Sequence, residues 1–275
     1  MKNFTKEKVN LKFVVLLERR ASIVANSNQG KVFLIFVEGS TDADCLDIIV
    51  EDFKQKLVLS DITIRIQNGD IFTSTENKTK NGQTILEDQI QLYLNYSKLS
   101  PDQIIHVAFV TDTDGIYINQ INYLVTPSID SWCYDFSNGK VLFKDSDKKR
   151  DIIASRQTKA KKVSQVIKKQ SESTLEINGT QLSYSVYFNS VNLEHVLFEK
   201  VLPDEEKTEA IDNLLDEIDD DPNKMIAIFE GKALGTSYID SWNKIQELEV
   251  EMKCSYTNLH ILFELLESFK NIEQV

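Results

Sequence analysis

The chain has 275 residues, 41% of them hydrophobic, and a formal net charge of −12, which is enough apolar content for one sizeable core and a length that suits one or two domains. No run of about 18 apolar residues reads as a membrane span, and the polar, charged stretch Met1 to Asn10 lacks the apolar centre of a signal peptide. Three cysteines far apart (Cys45, Cys133, Cys254) and three scattered histidines give no metal-type spacing, so the expectation is a cytoplasmic protein with reduced thiols and no zinc.

The negative charge argues against wholesale coating of nucleic acid, but it is unevenly placed. Between Lys144 and Lys169 ten basic residues face three acidic ones, a local charge of +7 that leaves −19 on the rest of the chain. A single basic element on an acidic protein localises any contact with a polyanion.

In chain order, residues 5–25 form an amphipathic pattern, with Val9, Phe13, Leu16 and Leu17 on one face, and Asn26 to Gly30 ends it as helix stops often do. A β-prone apolar run, 31–37, leads through Glu38-Gly39 into a helix over 41–57. Ile62, Ile64 and Ile66 alternate in a short strand, 68–82 is a polar loop, and Ile85, Ile90 and Leu94 mark a helix over 84–96. A second apolar strand, 104–111, ends in Asp112-Thr-Asp114-Gly115. Strand, helix, strand, helix, strand is the grammar of a parallel sheet with crossover helices, and we expect about four strands.

Beyond this the pattern changes. Trp132 to Phe143 surrounds Asn138-Gly139 as a hairpin does, 148–170 reads as a basic helix, and Asn178-Gly179 marks a second hairpin whose far arm runs over 181–188. Both hairpins are expected within an insertion at 130–188. Asn189 to Phe198 is a polar lead into a short apolar helix. From Pro203 the chain is acidic and helical, and the last helix, 256–269, carries Leu259, Leu262, Phe263 and Leu266 on one stripe.

Two features carry chemistry. Glu38 stands at the carboxyl end of one apolar strand with Asp42 one helical turn on; Asp112 and Asp114 stand at the end of another. If the strands are neighbours, the four carboxylates converge on one rim, where α/β folds bind ligands. Crowded carboxylates repel, and a hard divalent cation such as Mg²⁺ or Mn²⁺ relieves the cost. Such a cation activates water and neutralises a phosphoryl group. The bland alternative is that each acid caps a helix or closes an Asx-turn; for Asp42 alone that account is the stronger one.

Val37-Glu-Gly-Ser-Thr-Asp42 followed by Val110-Thr-Asp-Thr-Asp-Gly115 resembles the TOPRIM domain, and the form Glu-Gly-x-Thr-Asp is most similar to OLD-family and RloB-like stand-alone TOPRIM nucleases. The resemblance covers about 31–200. It implies a Rossmann-like, mainly parallel sheet flanked by helices, with a hairpin-containing insertion and a C-terminal helical region, divided as an N-terminal helix (1–30), a catalytic domain (31–202) and a C-terminal region (203–275). It implies that Glu38 serves acid/base or metal chemistry, that Asp42, Asp112 and Asp114 bind Mg²⁺ or Mn²⁺, and that a late acidic residue opening a helix joins them, for which Glu194 is the candidate. It also implies a lysine near the scissile phosphate. Lys159, Lys161 and Lys162 are candidates by charge, with Lys161 taken as the catalytic one, and Lys159, Lys161, Lys162, Lys168 and Lys169 are taken to track the nucleic-acid backbone, DNA or RNA, tRNA included. A solvated helix face is an equally good account of any single lysine.

The chain lacks the zinc cysteines of RecR-like proteins and primases, the tyrosine domain of topoisomerases, and the Walker A pattern of the OLD-family ATPase half. A TOPRIM nuclease without its ATPase resembles the effector of bacterial anti-phage, abortive-infection pairs, in which a separately encoded ABC-type ATPase senses the invader. Two other readings stand. Asp112 and Asp114 also look like the nucleophile and acid/base of a haloacid dehalogenase-like phosphatase, which leaves Glu38 without a role; or the chain is a non-catalytic partner that keeps the fold.

Overall fold

The structure, a computed structural model, describes residues 31–56, 61–67, 69–167, 173–247 and 255–269. The amphipathic stretch 5–25, Lys168, Lys169 and Cys254 lie outside the described residues. The molecule is α/β, with a mainly parallel central sheet flanked by helices.

β1 (Val32–Val37) is six consecutive apolar residues, all buried; such a run does not alternate because both faces of a parallel strand are covered. It leads into α1 (Ser40–Lys56) and on to β2 (Asp61–Ile66), which pairs parallel to β1. α2 (Gly82–Ser97) then carries the chain to β3 (Ile104–Asp112), parallel to β1 on its other side. Phe36 and Phe109 sit in register there, with rings stacked at 4.9 Å. The sheet order is therefore β2-β1-β3 at this edge. The first crossover leads to one side of β1 and the second to the other, and right-handed connections then put their helices on opposite faces. The strand order reverses between β1 and β3, the switch point at which a crevice opens beyond the strand ends.

After β3 an insertion folds into its own small sheet: β4 (Tyr123–Val125), β5 (Trp132–Asp135) and β6 (Lys140–Phe143), in the order β4-β6-β5 around a minor core of Ile118, Tyr123, Val141 and Phe143. The hairpin expected at Asn138-Gly139 is the β5–β6 pair. The basic helix α3 (Ser146–Val166) follows, capped by Asp145, whose carboxylate accepts from the Lys148 N–H at 2.7 Å. The second hairpin is β7 (Thr174–Ile177) and β8 (Thr180–Asn189). It does not belong to the insertion: β8 pairs parallel to β3 and completes a five-stranded sheet, β2-β1-β3-β8-β7, rather than the four strands expected. The reason lies in the far arm, where Tyr184 to Asn189 are all buried, a central-strand pattern rather than a solvated one.

Beyond β8 the described residues form α4 (Leu193–Phe198), α5 (Asp204–Glu217), α6 (Pro222–Gly231), α7 (Tyr238–Gln246) and α8 (Leu259–Ser268). α5 and α6 pack on α1, while α2 packs on α3. Ile211, Phe229, Trp242 and Leu262, all beyond Pro203, belong to the same hydrophobic cluster as β1 and β3. Among the described residues no helix is long and apolar enough to cross a membrane.

The α2–α3 contact is tight at one point. A Cβ on Gly82, the first residue of α2, would lie 2.3 Å from the Lys162 carbonyl oxygen, and the Gly82 N–H donates to Gln165 Oε1 at 2.7 Å. Backbone cannot yield as a flexible side chain does, so Gly82→Ala should destabilise the protein by about 1–3 kcal/mol, read as a lower denaturation midpoint with an unchanged slope. An unchanged midpoint would show that the two helices are not held this closely.

Candidate active site

Parallel pairing of β1 with β3 puts both acidic motifs on one rim. The Glu38 carboxylate lies against the end of β3: its Oε1 accepts from Thr111 Oγ1 at 2.5 Å and from the Asp112 N–H at 3.1 Å. Asp112 is the last residue of β3 rather than part of the turn, and pairs in register with Asn189 at the end of β8. Three strand ends thus supply Glu38, Asp112 and Asn189.

Asp42 has two roles. Its Oδ2 accepts from the Gly39 N–H at 3.1 Å, the local helix-start bond that the bland account expects. Its Oδ1 faces Asn189 Nδ2 at 3.5 Å, and Asn189 Oδ1 in turn accepts from Thr257 Oγ1 at 3.1 Å. Glu194, in the first turn of α4, is buried close enough to repel Asp42, and Lys207 of α5 reaches it at 3.7 Å. The acidic helix therefore turns one cation back into the site.

The Asp114-Gly115 turn is held by the insertion. Asp114 and Gly115 both adopt left-handed backbone angles (φ 50° and 71°), and at Gly115 a Cβ would stand 2.7 Å from Ile118 and 3.1 Å from the Arg156 guanidinium. Tyr134 OH donates to the Asp114 carbonyl at 3.0 Å and Tyr123 OH to the Gly115 carbonyl at 3.5 Å. Arg156 donates to both phenol oxygens, at 2.5 and 2.6 Å, and its guanidinium lies 5.1–5.6 Å from the ring centres of Tyr123, Tyr134 and Trp132.

α3 contributes more than charge to solvent. Arg156, Lys159, Lys162, Val163 and Val166 are its buried residues, the three- and four-residue spacing of one helical face. Lys159, 1% exposed, reaches Asp114 Oδ2 at 2.5 Å, Glu38 Oε1 at 3.4 Å and Asp70 Oδ2 at 3.5 Å. Lys162 donates to the carbonyls of Phe72 and Asn77 at 2.7 and 2.8 Å, which fixes the 71–77 loop rather than leaving an ammonium for a phosphate. Lys161, the lysine favoured as catalytic from sequence, is exposed and off this face; the lysine at the carboxylates is Lys159. Sequence reasoning missed Asp70, Thr111, Asn189 and Lys207. Asp70 closes an Asx-turn, accepting from the Phe72 N–H at 2.8 Å and Thr73 Oγ1 at 2.5 Å. His195 is a packing residue: its Nδ1 donates to the Ser190 carbonyl at 3.0 Å, and its ring stacks on Phe136 of the insertion at 4.2 Å.

The electrostatics are those of an over-filled acidic site. Burial lifts Glu38 to about 8; Lys159 opposes the rise, while Asp114 and Asp70 add to it. Burial and then Glu194 lift Asp42 to about 7, against the Gly39 bond. Asp112 is held well above the usual carboxylate range, by burial and by repulsion from Asp42, Glu38 and Asp114. Burial alone would lower Lys159, but Asp114, then Glu38 and Asp70, outweigh it and hold the ammonium well above its usual range. This donor set of desolvated, mutually repelling carboxylate oxygens suits a hard divalent cation in its chemistry. As the side chains stand, no three His, Cys, Asp or Glu among the described residues are grouped so that they could hold a metal ion; the carboxylates lean on Lys159, Asn189 and backbone N–H groups instead.

A pH dependence follows. Asp42 ionises near 3.8 when unfolded and near 7 in the fold, so its contribution to stability is fully present below about pH 4 and is lost as pH rises through about 7. Thermal unfolding of the metal-free protein between pH 4 and 9 should show Asp42→Asn gaining a few degrees over the wild type at pH 8, with the gap closing toward pH 4. A variant less stable than the wild type at pH 8 would mean that Asp42 is not under this strain.

No family model, no curated protein and no solved structure matches this chain.

Proposed function

We propose that the protein is a metal-dependent nuclease of TOPRIM type, hydrolysing a phosphodiester bond in DNA or RNA at the rim formed by Glu38, Asp42, Asp112 and Asp114. One observation carries the reading: the two acidic motifs, 74 residues apart in sequence, are joined by Glu38 accepting bonds from Thr111 and the Asp112 N–H at the switch point of the sheet. Glu38, Asp42 and Asp112, with Asp114 and Glu194 beside them, would hold Mg²⁺ or Mn²⁺ once the carboxylates of Glu38 and Asp42 turn from Lys159, Asn189 and the backbone N–H groups they now face. The bound cation would supply charge neutralisation for the phosphoryl group and a more acidic water.

The chain's own residues have separable tasks in this reading. Thr111, the Asp112 N–H and Lys159 all address Glu38 Oε1, which leaves Oε2 to take or give a proton. Without a metal the Glu38 carboxyl is lifted to about 8; a bound cation would lower it and leave it ionised to accept a proton from water. Lys159 holds Asp114 and Glu38 in place and offsets part of the negative charge of the rim. Exposed cations of the α3 region, Lys148, Arg150 and Lys161 among them, draw in the polyanion, so binding should weaken steeply with salt. The contact between Glu38 and β3 speaks against the phosphatase alternative, in which Glu38 has no part. The resemblance extends the proposal to an effector of bacterial anti-phage defence, tRNA being one candidate substrate and a separate ABC-type ATPase its partner.

The test is cleavage of labelled DNA and RNA with Mg²⁺ or Mn²⁺. Cleavage should stop with chelator, and Asp112→Asn and Glu38→Gln should each lower it at least about a hundredfold while binding measured in chelator stays within a few-fold of the wild type. Undiminished cutting by Asp112→Asn, or in chelator, would remove the proposal. Release of phosphate from a monoester, insensitive to Glu38→Gln, would favour the phosphatase.

A further inference from the structure

Beside the carboxylate rim, between the Asp114 turn, β5 and α3, lies a cavity of about 160 Å³. Its apolar walls are Trp132, Ile116 and Ile152, and the hydroxyl-bearing Thr73, whose Oγ1 donates to Asp70, and Ser155 also line it. Four charged groups also reach it, Asp70 and Asp114 against Arg156 and Lys159, and they balance. Both cations are already committed: Lys159 to Glu38, Asp70 and Asp114, and Arg156 to the phenols and rings of the insertion. A pocket with no net charge and no uncommitted cation is poorly suited to a phosphate. One aromatic wall, two aliphatic walls and hydroxyl-bearing residues in the lining suit a flat, neutral, polar-edged group.

We propose that this cavity takes one unstacked base of the nucleic acid, held against the Trp132 side chain, next to the phosphate at the carboxylates. This inference rests on the nuclease reading and narrows it: a base cannot enter while stacked in a continuous duplex, so the substrate is single-stranded, looped or frayed at the cleavage point. Arg156 is a positioning residue here. It holds Tyr134, and through it both the Asp114 turn and the strand that carries Trp132.

The chain reports on the cavity by itself. It has two tryptophans; Trp242 is buried in the core, where its Nε1–H donates to the Val186 carbonyl at 3.0 Å, while Trp132 is partly exposed and lines the cavity. The full-length protein, held in chelator so that nothing is cut, is titrated with a labelled single-stranded oligonucleotide of about 12 nucleotides and with the matching duplex. Label anisotropy reads occupancy, and tryptophan emission reads the cavity. The expected result is quenching of Trp132 and its protection from acrylamide by the single strand, but not by the duplex at equal occupancy. Trp132→Ala should weaken single-strand binding roughly tenfold and leave duplex binding unchanged, with Trp132→Phe recovering most of the loss. Single-strand binding with no change in tryptophan emission, or equal weakening of both ligands by Trp132→Ala, would overturn the base pocket and leave the nuclease reading intact. Absence of binding to either ligand at low salt would overturn both.

Discussion

A buried ammonium holds the candidate site together. Lys159 is enclosed by protein and contacts Glu38, Asp70 and Asp114, which come from the end of β1, the loop after β2 and the turn after β3. No two of these acids are near in sequence, and each repels the others. Taking away one partner of a buried ion pair is far costlier than the net worth of the pair, because the remaining charge is left without compensation. Lys159 thus acts as a structural cation for an acidic cluster assembled from distant parts of the chain, and the insertion and the polar loop keep their places around it.

The same logic accounts for the insertion. Its small core could not order much on its own, yet it delivers two phenol groups to the carbonyls of Asp114 and Gly115 and encloses Arg156 between rings. The left-handed backbone at Asp114 is strained locally, whereas Gly115 adopts it freely, and hydrogen bonds from outside hold the turn. The hairpin is therefore the brace of the acidic turn, and the stacking of Phe136 on His195 ties that brace to α4, which carries Glu194.

How much of this could be read from the sequence depended on whether neighbours in the chain were neighbours in space. β1 and β3 were legible because six and more consecutive apolar residues need cover on both faces, and Glu38 and Asp112 were legible as their ends. Asp70 was hidden because an acid in a polar loop looks like any Asx-turn, and it is one; only the lysine arriving from α3 makes it more. Thr111 and Asn189 carry no motif. Lys159 and Lys161 have the same charge and lie two residues apart, and only helical phase separates them. That phase was available from Val163 and Val166, which mark the inward face on which Arg156, Lys159 and Lys162 also lie. Asn178-Gly179 is a strong local turn and makes β8 look like no more than a hairpin arm; the turn is present, but the strand beyond it is buried as a central strand must be.

Arg156, Lys159 and Lys162 meet three different parts of the molecule at one phase of a single helix: the aromatic insertion, the carboxylate rim and the 71–77 loop. Adding or deleting one residue within this segment would turn everything beyond it by about 100° and shift it by about 1.5 Å, so grips on either side of the change could not all be kept. Point changes on the outward face, at Gln157, Thr158 or Lys161, disturb none of them. The segment from 156 to 162 is thus free to drift in composition along one side while its length is locked, and relatives of this chain should align through it without gaps even where the residues around it differ.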